Sequence, residues 1–306
     1  MTVVLCAGEA LITLSAADGL PLDSTQALRI SPGGAEFNVA VHLARLGMSV
    51  RFAGLVGADP WGRRLLATLA AEGVDTSAVR TEHSRRTGCY LKEPGSVYYY
   101  RAGSAGSALA RLPDGAHDGV THVHLTGITP ALSPACAEFT ATELAAAGPA
   151  GRTTSFDINY RPALWSPAEA GPVLLNLAAM ARYVFVGLDE ARLVWGCQSA
   201  EEIRALIPAP AELIVKDGPR AAIAFSSGGE GIGVLPGPVE IVDVVGAGDA
   251  FAAGYLAGRL SGSGSGSGDV AAALRAGHAL AAAVIGSPSD HGERAIIEVI
   301  MEAEDA

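Results

Sequence analysis

Short β-branched runs that alternate with longer alanine-rich segments of helical period constrain this chain more than any other feature. The strand candidates are Val3–Ala7, Val50–Leu55, Val120–Leu125, Thr153–Phe156, Tyr183–Val186, Glu212–Val215 and Ala221–Phe225. Between them lie helix candidates such as Ala35–Leu46, Gly62–Ala71 and Pro134–Ala147, the second with Pro60 at its entrance and Gly73 beyond its end. That alternation predicts βαβ units and a parallel sheet covered on both faces. The C-terminal third reads as helices over Ala247–Leu260, Asp269–Ile285 and Arg294–Ala303.

Two segments break the pattern. Glu9–Ser15 with Ala27–Ile30, and Thr87–Lys92 with Val97–Arg101, read as extra strands, the second pair turning at Pro94-Gly95. They fit a small β-sheet lid inserted at about 9–31 and 87–104, within one domain spanning residues 1–306. A chain of 306 residues can bury the core such a domain needs. Ser261–Gly268 is a pure Gly/Ser run and is expected to be a flexible, dispensable surface loop.

With 21 basic and 32 acidic residues the net charge is −11, which argues against nucleic acid or an anionic membrane as a general partner. Lysine occurs only at Lys92 and Lys216 and suggests no function by itself. Cys6, Cys89, Cys136 and Cys197 are far apart, without a C-x-x-C, so neither zinc nor a disulfide framework is supported. The N-terminus lacks the basic stretch of a signal peptide, and no apolar run is long enough to span a membrane; a cytoplasmic protein is expected.

The chemistry concentrates in Asp243-Val-Val-Gly-Ala-Gly-Asp249, which leads into the helix candidate Ala247–Leu260. Gly246 and Gly248 lack Cβ and let the backbone approach a ligand, and the first turn of a helix offers free N–H groups to phosphate. Asp249 would repel a bound phosphate, but a base that takes a hydroxyl proton during phosphoryl transfer resolves the conflict. Two other readings remain open here. One is a plain strand-to-helix turn. The other is a dinucleotide fingerprint, although Phe251 stands where its third glycine belongs and Asp269, at about the right spacing for its acid, closes the Gly/Ser run. A Walker P-loop is excluded, because no Gly-Lys dipeptide exists, and the protein-kinase motifs are missing too.

Pro32-Gly-Gly-Ala-Glu-Phe-Asn38 near the start, with Val-Val-Gly-Ala-Gly-Asp249-Ala-Phe near the end, resembles the two signatures of the PfkB/ribokinase family of sugar kinases. The resemblance runs through the whole chain in order, including Gly57-Ala-Asp59. It implies a ribokinase-like three-layer α/β/α sandwich with a mostly parallel sheet and a β lid, Mg²⁺-ATP as donor and a carbohydrate hydroxyl as acceptor. The middle of the chain is similar to 2-keto-3-deoxygluconate kinases at Thr87–Tyr90, Tyr98–Ala105, Gly127–Leu132 and Phe156–Trp165. Those motifs contain Arg101 and Arg161, whose planar forks suit the carboxylate of a sugar acid.

Residue by residue, the resemblance implies that Gly34 and Asn38 hold sugar hydroxyls and that Tyr90, Tyr99 and Arg101 close over the acid from the lid. It matches Arg161 and Asp290 to the substrate, Gly246, Ala247 and Gly248 to the anion hole, and Asp249 to the catalytic base. Gly218 and His278 fall at the nucleotide, and Glu190 at Mg²⁺ through water. Gly187 stands where that acid's motif has asparagine, and Ala221 where a second nucleotide glycine is usual. A homo-oligomer joined through the lid is expected. Period 2 puts Tyr99 and Arg101 on one face of a strand and Tyr98 and Tyr100 on the other; the same alternation places Asp157, Asn159 and Arg161 together. His122 and His124 share a face but lack a third ligand and read as structural. Glu36 reads as an acid that caps its helix from the first turn, and Glu9 as a weaker substrate candidate. Among the alternatives are another activity of the family, such as a fructokinase, and a sugar-binding regulator without turnover.

Overall fold

The computed structural model describes residues 2–93, 96–261 and 269–287. In chain order the elements are β1 (Val3–Ala7), β2 (Leu11–Ala16), β3 (Leu28–Gly33), α1 (Ala35–Arg45), β4 (Ser49–Gly57), α2 (Pro60–Ala71), β5 (Asp75–Glu82), β6 (Gly88–Glu93), β7 (Ser96–Tyr100) and β8 (His122–Thr126). There follow α3 (Pro134–Ala147), β9 (Thr153–Asp157), α4 (Pro167–Ala178), β10 (Tyr183–Gly187), α5 (Leu188–Trp195), α6 (Ala200–Leu206), β11 (Glu212–Lys216), β12 (Ala222–Ser226), β13 (Gly231–Val234), α7 (Ala247–Leu260) and α8 (Val270–Ile285). The expected turn at Pro94-Gly95, the Gly/Ser run from 262 to 268, Asp290 and the helix at Arg294–Ala303 lie outside the described residues.

Nine strands form the main sheet in the order β13-β12-β11-β10-β9-β8-β1-β4-β5. Pairing is parallel from β5 to β11, and β12 and β13 then turn back antiparallel at one edge. Successive side chains of a strand point to opposite faces. In β1, accordingly, Leu5 and Ala7 join a core shared with Phe139 of α3, Leu174 of α4 and Ile203 of α6, whereas Val4 and Cys6 join a second core shared with Phe37 of α1, Leu65 of α2, Phe251 of α7 and Leu274 of α8. The result is a three-layer α/β/α sandwich. Strands buried on both faces read as unbroken apolar runs, which is why their positions are visible in sequence.

A separate four-stranded sheet has the order β3-β2-β6-β7, with β2 and β6 parallel and both outer pairs antiparallel. Its β2 and β3 fall between β1 and α1 of the main layer, and β6 and β7 between β5 and β8. Cys6, Cys136 and Cys197 are buried, Cys89 is partly so, and all four are free thiols. No described helix is long and apolar enough to cross a membrane.

Candidate active site

The small sheet and the C-terminal ends of the parallel strands enclose a cleft of about 940 Å³. Ligands bind outside the carboxyl ends of strands in open α/β sheets, and here that end also faces the N-terminus of α7. Gly246 caps that helix in the left-handed region at φ 85°, a conformation glycine adopts without steric cost. Asp249 sits in the first turn, 8% exposed. Asn38 of α1 donates to one of its oxygens at 2.8 Å and Asn159 to the other at 3.2 Å. Burial pushes the Asp249 carboxyl up to about 7; the Asn38 hydrogen bond counters that and the charge of Asp157 adds to it. A carboxylate that titrates near neutrality, held by two amides at a helix N-terminus, is suited to take a proton beside a bound anion.

Gly34, at φ 124°, begins α1 directly against the segment that joins β1 to β2; a Cβ there would lie 2.3 Å from the carbonyl oxygen of Glu9. That approach brings Asn38, one turn on, to Asp249. From the small sheet, Tyr90 and Tyr99 line the cleft with ring centroids 5.7 Å apart, whereas Tyr98 and Tyr100 point outward. Arg101 also lines the cleft, with its guanidinium 5.5 Å from the centre of the Tyr99 ring. It forms a buried ion pair with Glu9, which also accepts a hydrogen bond from Ser104. Arg161 is the more available cation: its side chain is 39% exposed and its nearest carboxylate, Glu190, is 3.7 Å away.

Alternation does not carry Asp157, Asn159 and Arg161 on one strand. Strand β9 ends at Asp157, and Asn159 is the one non-glycine of positive φ (41°) among the described residues. Asparagine tolerates that region, so the chain turns there and still delivers Asn159 and Arg161 to the cleft. Asp157 is 1% exposed and accepts a hydrogen bond from Lys216 at 2.8 Å, while its Oδ1 has no hydrogen-bond partner among the described residues. Burial and then the charge of Asp157 hold Glu190 above the usual carboxylate range. For Lys216, burial alone would lower the ammonium, but Asp157 and Glu190 outweigh it and raise it.

Lys216 is the cleft residue that sequence reasoning passed over. The signal was its place as one of two lysines, at the C-terminal end of a buried strand. The other, Lys92, forms an ion pair with Asp243, so neither lysine is idle. Glu36 keeps its first-turn place, where its carboxylate meets its own N–H, and being buried it also accepts hydrogen bonds from Thr126 and Thr129, stitching the helix to the end of β8. His122 and His124 bond to Thr153 and Ser155 inside the sheet, away from the cleft. Gly218 (φ 51°) and His278 line the far end of the cleft; His278 packs edge-on against Phe251 and bonds to the carbonyl of Val234 at 3.0 Å. Among the described residues no cluster of three His, Cys, Asp or Glu side chains is built to hold a metal.

A family model described as pfkB family carbohydrate kinase matches residues 1–293. A 2-dehydro-3-deoxygluconokinase of Bacillus subtilis (strain 168) is 36% identical over 84% of this chain and 81% of its own length. Among solved structures, a PfkB protein from Polaromonas sp. JS666 is 32% identical, covering 98% of this chain and 99% of its own, with a TM-score of 0.84. A fructokinase with bound ATP from Xylella fastidiosa is 25% identical, with a TM-score of 0.85 over 99% of both chains.

Proposed function

The chain belongs to the pfkB family of carbohydrate kinases, and from that premise we propose that it transfers phosphate from ATP to the terminal hydroxyl of 2-keto-3-deoxygluconate, giving 2-keto-3-deoxy-6-phosphogluconate. The observation that carries the substrate is Arg161, a cation open to the same cleft as Asp249. A neutral hexose has no use for it, whereas a sugar acid does. The Bacillus subtilis relative's name points the same way.

In this reading the sugar lies between lid and sheet, with Asn38 and the backbone at Gly34 on its hydroxyls, Tyr90 and Tyr99 over its face, and Arg161 and Arg101 at its carboxylate. Asp249 accepts the proton of the terminal hydroxyl as that oxygen attacks the γ-phosphorus in line, and the bond from that phosphorus to the β,γ-bridging oxygen breaks to release ADP. The N–H groups of Gly246, Ala247 and Gly248 hold the charge that develops on the transferring phosphoryl. Gly218 and His278 border the nucleotide. Lid closure over the sugar excludes water and limits ATP hydrolysis. The unpartnered oxygen of Asp157 and the neighbouring Glu190 fit a hydrated Mg²⁺, held largely through water because two carboxylates alone do not complete its shell. Bound Mg²⁺ neutralises phosphate charge. Gly187, in place of asparagine, supplies no side chain to that hydration shell.

We further read residues 1–306 as one kinase domain in the cytoplasm. Homo-oligomerisation through the lid is supported by apolar side chains exposed on it, Leu28, Tyr98 and Tyr100. ADP release measured across a panel of sugar acids and neutral sugars tests the assignment. A higher kcat/KM with fructose or ribose would show that the acid-reading role of Arg161 is wrong.

A further inference from the structure

Lys92 stands on β6, two residues beyond Tyr90 and therefore on the same face of the lid strand. Its ammonium crosses from the small sheet to Asp243 in the segment that leads into α7, with the two side chains 16% and 22% exposed. One carboxylate oxygen of Asp243 takes Lys92; the other accepts the N–H of Val245 at 3.0 Å. The N–H groups of Val242 and Asp243 both donate to the carbonyl of Ile285 at the end of α8, at 2.9 and 3.1 Å. Gly246, which opens the helix carrying Asp249, follows one residue after Val245.

We propose that Lys92 is a positioning residue for phosphoryl transfer: by pairing with Asp243 when the lid is down, it couples closure over the sugar to the geometry of the Gly246–Gly248 turn. This rests on the kinase reading above. Val242 and Asp243 are tied to α8 by main-chain hydrogen bonds that involve no residue of the small sheet, so the Asp243 carboxylate is the part of the segment that a moving lid can engage. That carboxylate also shapes the turn through Val245. A lid that is open withdraws the ammonium and leaves Asp243 charged beside an anion site, which disfavours phosphate there until the sugar is enclosed. The pair thus acts on the order of events and on the fraction of ATP lost to water.

The test is a double-mutant cycle with Lys92→Met, which keeps length and loses charge, and Asp243→Asn, which keeps an acceptor for Val245. Each single variant should lower kcat/KM for the sugar acid about tenfold, the double no further than the worse single, and Lys92→Arg should retain most activity. The ratio of ATP hydrolysis to sugar phosphorylation should rise in the single variants and return towards the wild-type value in Lys92→Arg, a rescue that follows the charge of the side chain. Independent, multiplying effects in the double variant, or a Lys92→Met enzyme with unchanged kcat/KM and hydrolysis ratio, would overturn the inference. A wild-type enzyme that prefers a neutral sugar would sink the substrate reading alone, and the cycle would then be run on that sugar. A wild-type enzyme that phosphorylates no sugar would overturn both.

Discussion

Asp249 combines two properties that a structural acid would not need together: it is buried, and both its oxygens are held by amides. Replacing it with Asn keeps the shape and removes the proton acceptor, so kcat should fall about 10²–10⁴-fold in a coupled ADP assay. The melting temperature should not fall, because an uncharged group is easier to bury. A variant that kept most of its kcat would remove Asp249 from the chemistry. The carboxyl titrates near 7 and must be ionised to act. The kcat/KM of the wild-type enzyme should therefore rise with pH up to about 7 and level off above it. The two arginines separate by the same logic. Arg161→Ala should raise KM for the sugar acid by roughly 10–100-fold with little change in melting temperature, since its side chain is partly solvated and its nearest acid is 3.7 Å away. Arg101→Ala should raise KM and also lower the melting temperature, because it strands the buried carboxylate of Glu9. Equal melting-temperature losses for the two would contradict that division.

At the scale of elements, α7 is held at both ends by different chemistry. Its N-terminal turn faces the cleft, and near its C-terminus Arg259 and Tyr255 converge on Glu212, the first residue of β11. Both partners of that ion pair are buried, so Glu212→Gln leaves Arg259 short of a counter-charge and should cost about 3–5 kcal/mol in urea unfolding. At permissive temperature kcat should change little, because β11 and α7 also pack through Ile214, Phe251 and Leu256. A loss of kcat without a loss of stability would mean that the clamp instead tunes Asp249. The elements differ in how legible they were. β1 and α3 lie where their apolar runs and their prolines and glycines put them. The edge strands β5 and β13 gave no such signal. One carries Asp75, Ser77, Arg80 and Glu82 on a half-solvated edge, and the other begins with Gly231-Ile-Gly233. In the site, the Gly246–Asp249 turn could be read from local pattern because neighbours in sequence form it, whereas Asn38 was reached through the resemblance and meets Asp249 from 211 residues away. The pairs Lys216–Asp157, Lys92–Asp243 and Glu9–Arg101 join residues far apart in the chain, and only the packed layers bring them together.

Across the whole molecule, buried ionisable groups of opposite kind set how stability responds to acid. His122 and His124 lie neutral inside the sheet, and burial lowers them from 6.5 to about 3 and about 4. Below 6.5 the unfolded chain takes up their protons and the folded chain does not, so their share of stability is lost as pH falls from 6.5 towards 4. The slope is roughly 1.4 kcal/mol per pH unit for each histidine. Asp249 works in the other direction. Its folded value, about 7, lies above the unfolded 3.8, so the folded chain binds the extra proton between these limits. Above pH 7 the buried charge destabilises, and as pH falls that penalty is relieved. In the wild-type protein these contributions offset one another, and a single melting curve against pH hides both. Paired variants expose them. Relative to wild type, Asp249→Asn should be more stable at pH 8, with an advantage that shrinks steadily down to pH 4. His124→Gln should be less stable at pH 8, because it disturbs the contact with Ser155, and its deficit should shrink as pH falls below 6.5. Expressed as variant minus wild type, the free energies of urea unfolding should slope with opposite signs between pH 7 and 4.5. Slopes of the same sign would mean that one of these groups keeps an ordinary titration in the folded state. The choice would fall on Asp249 if its variant showed no advantage at pH 8.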